Sequence, residues 1–282
     1  MHVLTVALYY AILASSWNLI AGYTGLFSLA HHVFAGIGAY ASALLVIRTG
    51  IPIPLGIACG GALAGAAGYT LGALTLRLRT LYLALATWAF AESIRLVVSM
   101  EYGLTRGDLG LAVPKLFRAV SPTPYYEVFL GCTAAAVAGL ALLLRSRIGY
   151  RLRAIRDDEG AARAAGVNTV RWKRFVFGLS SGIAGLAGAL YGHYIGLLSP
   201  AAMRFDEMAL IIIMVILGGQ RTLAGPIAGA VVIEVASEAL RTYGQLRMVV
   251  FALVVLAVMR LYPAGLMGIV RAAIISRGRD RS

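Results

Sequence analysis

RSRIGYRLRAIRDDEGAARAAGVNTVRWKR, residues 145–174, lies between two long apolar blocks. It carries nine basic residues: Arg145, Arg147, Arg151, Arg153, Arg156, Arg163, Arg171, Lys173 and Arg174. Against them stand only Asp157, Asp158 and Glu159. A basic segment of this length, flanked by blocks that can cross a bilayer, belongs in water on the cytoplasmic side. It also reads as ordered. Between Leu152 and Ala165 the one glycine is Gly160 and alanine is frequent, while the three acidic residues lie near the start of a helix running to Ala165. Gly166 and Asn168 are its expected stop. The stretch predicts a short charged helix at the inner membrane surface, on which something docks.

Composition agrees. Hydrophobic residues make up 60% of the chain and charged ones 13%, and a mean hydropathy of +0.83 places it in the membrane class. A net charge of +13 would suit nucleic acid. Its arginines, however, sit mostly in short turns, the central loop and the tail, where the positive-inside rule and anionic lipid account for them. Membrane lipid is expected as a partner and nucleic acid is not. Cys59 and Cys132 lie far apart inside apolar blocks, so both are expected as small buried hydrophobes. The first apolar run has no basic leader and no cleavage site, and reads as a helix rather than a signal peptide. The 33 glycines suit close helix packing in lipid.

Apolar runs lie near Val3–Ala21, Leu26–Ile47, Ile53–Leu76, Leu81–Met100, Tyr126–Leu144, Phe175–Leu198, Glu207–Leu217, Ile227–Leu240 and Met248–Leu261. Most approach the ~20 residues a spanning helix needs; the last three fall short. GGQRTLAGP (Gly218–Pro226) breaks the stretch from Glu207 to Leu240 into a hairpin of short or tilted helices. The fold class is all-α: a polytopic helical membrane protein with about 8–9 segments and one broken hairpin, forming a single domain over 1–282. With loop 145–174 inside, Arg77 and Arg79 are inside, loop 101–125 is extracytoplasmic and Ser199–Asp206 is outside. The Gly218–Pro226 turn and the tail (Arg271, Arg277, Arg279, Arg281) are then cytoplasmic, which puts the amino terminus outside.

The chain has no P-loop, HExxH or CxxC. Its two lysines, Lys115 and Lys173, follow no GxxxxG run, and the adjacent His31 and His32 point about 100° apart on a helix, a poor metal pair. No cofactor and no nucleotide chemistry are expected. Within apolar runs, Glu92 and Arg95 stand three residues apart and can pair on one helix face, either fixing that helix or marking a polar point on a solute path. Glu234 and Glu238 pose the same choice; Glu238 can pair with Arg241, and Glu234 lies deeper. The segment from Asn18 to Leu45 mixes Asn18, Tyr23, Thr24, Ser28 and His31 with glycines. It suits either tight packing or a discontinuous helix beside a path.

Four stretches together resemble a known family: NLIAGYTGLFSLAHHVFAGIGAYASALL (Asn18–Leu45), LRLRTLYLALATWAFAESIRLV (Leu76–Val97), Arg147–Pro200 and ILGGQRTLAGPIAGA (Ile216–Ala230). They look like the permeases of branched-chain amino acid ABC importers. RAIRDDEGAARAAGVN is similar to the LivM-like member of the LivH/LivM pair. The resemblance implies an inner-membrane importer with a homologous partner permease, two cytoplasmic ATP-binding subunits and an extracytoplasmic solute-binding protein. It also implies that Arg153–Asn168 is a coupling helix seated on an ATPase, with Arg153, Arg156, Asp157, Asp158, Glu159, Ala162 and Gly166 as its coupling residues. Asn18, Tyr23, Thr24, Ser28, His31, Glu92 and Glu234 become candidates for pathway or gate. Two departures stand out. The family pattern has a further helix before the segment matching Val3–Ala21. Its outer loop carries a TGG-type turn, where this chain has Arg106 for the first glycine and Leu109 for a polar residue. The competing reading is a gradient-driven transporter or channel working alone, which rests on Glu234 and the broken hairpin.

Overall fold

The computed structural model describes residues 1–75, 78, 80–117, 123–244, 246–261 and 265–268. Arg77, Arg79, Arg118 and the tail arginines Arg271, Arg277, Arg279 and Arg281 lie outside them. Eleven helices follow in chain order: α1 (His2–Thr24), α2 (His31–Thr49), α3 (Ile53–Thr75), α4 (Thr80–Met100), α5 (Thr123–Arg145), α6 (Arg147–Asp157), α7 (Glu159–Ala164), α8 (Thr169–Ile195), α9 (Phe205–Gly218), α10 (Ala224–Ala239) and α11 (Leu246–Leu261). Among the described residues the strand content is one antiparallel ladder, β1 (Leu111–Ala112) with β2 (Leu197–Leu198). Among the described residues six helices, α1 to α5 and α8, are long and apolar enough to cross a membrane. At 14 and 16 residues, α9 and α10 are shorter than a straight span.

Helix α1 is the axis of the bundle. Every residue from Tyr10 to Ile20 is buried, as a helix apolar around its whole circumference requires. Helices α5, α8, α9 and α10 pack around it, and α2 and α3 join α8 in a second seam, backbone to backbone. A methyl group at Gly38 in α2 would land on the carbonyl of Gly185 in α8, and one at Gly188 would land on the carbonyl of Ala35. Small residues at such seams let dispersion and backbone contact replace the hydrophobic drive that lipid does not supply. Trp17, Phe34 and Phe177 fill the space beside these seams and are fully buried.

Two breaks shape the bundle. Gly25 ends α1 at φ 70°, with its N–H on the Ile20 carbonyl. The chain then runs back along α1 without helical bonding, until His31 opens α2 beside Ser16. Helix α2 therefore begins 24 − 16 = 8 residues, about 12 Å, above the end of α1. Of the two readings of Asn18–Leu45, tight packing and a discontinuity, both occur: this break, and the close approach of Gly38 to α8. The second break, between α9 and α10, falls at the expected Gly218–Pro226 turn. Gly219 and Arg221 take positive φ there, and Pro226 sits in the first turn of α10, where its missing N–H costs nothing.

Three sequence expectations need correction. Asp158 splits the charged loop into α6 and α7, so no single helix runs from Leu152 to Ala165. Its backbone is extended (φ −155°, ψ 107°) and its carboxylate accepts from the Ala161 N–H at 2.9 Å, a local bond that competes with helix continuation. Asn168 is not a stop; its side chain caps the start of α8, accepting from the Arg171 N–H at 3.0 Å. The cysteines are not buried: Cys59 is half-exposed and Cys132 exposed. A bundle whose outer surface is itself apolar places small hydrophobes outside at little cost.

Candidate functional site

The charged loop forms an elbow beneath α1. Ser146 caps α6, accepting from the Ile148 N–H at 3.1 Å, and the helix buries Gly149, Leu152 and Ile155 against the bundle. Tyr150 and Arg151 face outward. Arg153 is committed inward: it donates to the Leu144 carbonyl and lies 5.2 Å from the Tyr150 ring centre. Arg156 reaches the Gly22 carbonyl at 3.4 Å, packs against Gly25 and donates to Asp157 at 2.9 Å. The elbow is thus tied to the last turn of α1.

In α7, Glu159 accepts from Lys173 at 2.5 Å and from Arg163 at 3.0 Å, joining the elbow to α8. Burial pushes the Glu159 carboxyl up, but the hydrogen bonds from Lys173 and Thr169 and the Lys173 charge outweigh it and hold the group below its ordinary value. Ala162 is the buried residue of α7. Gly166, at φ 82°, closes it as expected: its N–H meets the Arg163 carbonyl, and the Val167 N–H meets that of Ala162, both at 3.0 Å. What remains outward at the bend is acidic: Asp157 and Asp158 are exposed. A cleft of about 1180 Å³ opens beside them, lined by Thr24, Leu26, Leu83, Ile155, Asn168 and Lys173 among others.

The candidate pathway residues divide. Asn18, Tyr23, Thr24, Ser28 and His31 are buried within the chain. Asn18 brackets the α9–α10 turn, accepting from the Arg221 N–H at 3.1 Å and donating to the Thr222 carbonyl at 2.9 Å. Tyr23 donates to the Arg221 carbonyl at 2.9 Å. Thr24 returns its hydroxyl to the Ile20 carbonyl at 2.5 Å. The Ser28 carbonyl accepts from the Trp17 indole at 2.8 Å, and His31 Nε2 meets the Ser16 hydroxyl at 2.8 Å. These contacts hold non-helical backbone inside protein, which, with the wall of a water-filled cavity, is where a membrane tolerates it.

Glu92 and Glu234 are partly exposed. Glu92 and Arg95 form the expected pair, with Arg95 Nε 3.0 Å from the Glu92 carboxylate, and their side chains remain 39% and 23% exposed. Glu238 pairs with Arg241 at 3.3 Å. A lone charge at mid-span costs ~2.5–3.5 kcal/mol, so pairing is the expected remedy.

Sequence reasoning missed four contacts. Tyr10 donates to Glu207 at 2.5 Å, joining α1 to the start of α9. Ser180 donates to the Ser16 carbonyl at 2.5 Å. His193 Nδ1 lies 2.7 Å from the Pro114 carbonyl and must carry the proton there, leaving Nε2 to accept from Ser42 at 2.9 Å. Polar residues inside apolar runs were the available signal; their partners lie too far along the chain to be read.

A family model described as the permease component of the branched-chain amino acid transport system matches residues 1–260. The high-affinity branched-chain amino acid transport permease LivM of Salmonella typhimurium is 31% identical over 95% of this chain and 69% of its own length. LivM of Escherichia coli K12 is 30% identical over the same shares. Its counterpart LivH is 25% identical over 92% of this chain and 91% of its own length. No solved structure matches the chain.

Proposed function

The chain belongs to the branched-chain amino acid permease family, and from that premise we propose that it forms half of the translocation pathway of an ATP-driven importer for branched-chain or related amino acids. As a member it is an integral inner-membrane permease subunit and not the catalytic subunit. A homologous permease supplies the other half, two cytoplasmic ATP-binding subunits the energy, and an extracytoplasmic binding protein the substrate. Helices α9, α10 and α11 add short or tilted segments to the six long spans, for nine in all. The nine basic residues of loop 145–174 favour the cytoplasm for it, and nine segments then put the carboxyl terminus there too and loop 101–125 outside.

One observation carries this reading. The α6–α7 elbow presents Asp157 and Asp158 to solvent while Arg156 and Glu159 fasten it to α1 and α8. A surface that is both exposed and mechanically tied to the bundle suits a coupling element. Arg153, Glu159, Ala162 and Gly166 set its shape; Asp157 and Asp158 face the ATPase. Asn18, Tyr23, Thr24, Ser28 and His31 act as gate supports, passing elbow movement through the end of α1 to the α9–α10 turn, while Glu92 and Glu234 lie along the path. Alternating access needs two states that ATP and the loaded binding protein favour differently.

The test is reconstitution of the tagged chain with every protein that co-purifies from its native membrane. Substrate-stimulated ATPase and amino acid uptake are expected, both lost on Asp158→Arg. Uptake by the chain alone on a proton or sodium gradient would overturn the reading.

A further inference from the structure

The Glu92–Arg95 pair is the least explained charge in the bundle. It lies on α4, with Glu92 100 − 92 = 8 residues, about 12 Å, inside the Met100 end. Lipid is a poor neighbour for it, because half-exposed carboxylate and guanidinium groups at that depth call for water or protein. A polar neighbour stands beside it. Helix α2 starts alongside, and His32 in its first turn is 4% exposed, with Nδ1 lacking any hydrogen-bond partner. His32 lies within electrostatic reach of Glu92, and its ring approaches the Met203 backbone. Just below, Trp88 of α4 meets Phe205 at the start of α9, ring centres 6.3 Å apart, and both rings are 44% exposed. An exposed aromatic pair thus adjoins an exposed ion pair.

We propose that Glu92 and Arg95 form a transient binding station for the zwitterionic head of an amino acid, Arg95 taking the α-carboxylate and Glu92 the α-ammonium, with the Trp88–Phe205 edge receiving the apolar side chain. This rests on the importer reading above. The chemistry is an exchange of partners: an internal pair opens and each member keeps an opposite charge, so no group is left uncompensated. Arg suits the carboxylate because its fork bonds two oxygens at once. The station is weak by construction, because the internal pair competes with the substrate, and a pathway needs weak sites for release.

The test uses the complete reconstituted importer and the double variants Glu92→Gln/Arg95→Gln, which removes both charges, and Glu92→Arg/Arg95→Glu, which keeps a pair with its polarity reversed. Both are expected to assemble and to melt near the wild-type temperature, and to lose at least tenfold in uptake with the binding protein's affinity for substrate unchanged. Trp88→Ala is expected to raise the KM for leucine more than that for alanine. If the reversed pair transports at the wild-type rate, the pair is structural and the inference is overturned; wild-type-like uptake by the neutral variant overturns it equally. A wild-type complex that moves no amino acid would instead remove the importer reading itself.

Discussion

The seam of α2, α3 and α8 and the elbow of α6 and α7 are held together in opposite ways. The seam has backbone against backbone at Gly38–Gly185 and Ala35–Gly188, with no room for a methyl group. The elbow is seated by the buried face of α6, but its bend and α7 hang on side-chain tips: Arg156 on the Gly22 carbonyl, Lys173 on Glu159, and a six-residue helix with Ala162 as its buried residue. Close-packed backbone transmits displacement without yielding, whereas polar tips can trade partners. Under the proposed function, the difference teaches where motion enters: the seam moves as a block and the elbow is the joint.

The largest effect should come from breaking the seam. Gly188→Leu forces α8 away from α2 and is expected to cost at least ~3 kcal/mol, read as loss of monodisperse protein after extraction. Gly139→Leu on α5, where an added Cβ meets nothing within 4 Å, is the matched control and should behave as wild type.

Next comes the joint. Asp158→Arg should abolish substrate-stimulated ATPase in the assembled importer, and its melting temperature should fall by no more than the loss of one cap, ~1 kcal/mol, implies. Asp158→Asn keeps the cap on Ala161 and separates capping from charge. If both variants couple normally, the contrast between block and joint fails.

A smaller, pH-dependent effect belongs to Glu159. Its folded carboxyl titrates below its ordinary value, so the stabilisation it gives α7 is complete above the unfolded carboxylate range and fades as pH falls through the lower folded value. Amide exchange in α7, corrected for intrinsic rates, should therefore quicken in acid, and Glu159→Gln should flatten that dependence.

The smallest change sits at the far end. Arg106 holds φ 61°, a left-handed conformation that disfavours a side chain. Arg106→Gly should gain about 0.5–1 kcal/mol after glycine's own entropy cost, seen as a melting temperature a few degrees higher.

What the sequence made legible was local. Run lengths marked the six long spans, Gly218–Pro226 marked the hairpin, Gly166 the end of α7, and three-residue spacing the pairs Glu92–Arg95 and Glu238–Arg241. What it hid was competition and distance. At Asp158 a side-chain bond to Ala161 prevails over the helix propensity of the surrounding alanines. Asn18 and Tyr23 find partners about 200 residues away, where no periodicity reaches. Apolar blocks also do not say which face meets lipid, which is why the cysteines turned outward.

The run from Gly25 to Ala30 also bears on how the protein is made. The Leu29 N–H finds its partner in Thr87, 58 residues later, at 2.9 Å. At roughly 5–20 residues per second, translation supplies that hydroxyl some 3–12 s after Leu29 itself. Until then the first hairpin carries an unsatisfied amide in the bilayer or holds that stretch back at the interface. Biogenesis of this subunit is thus an assembly problem with a wait built in. A chaperone or insertase acting on it has work until the fourth helix arrives, and the Asn18 and Tyr23 contacts wait longer still.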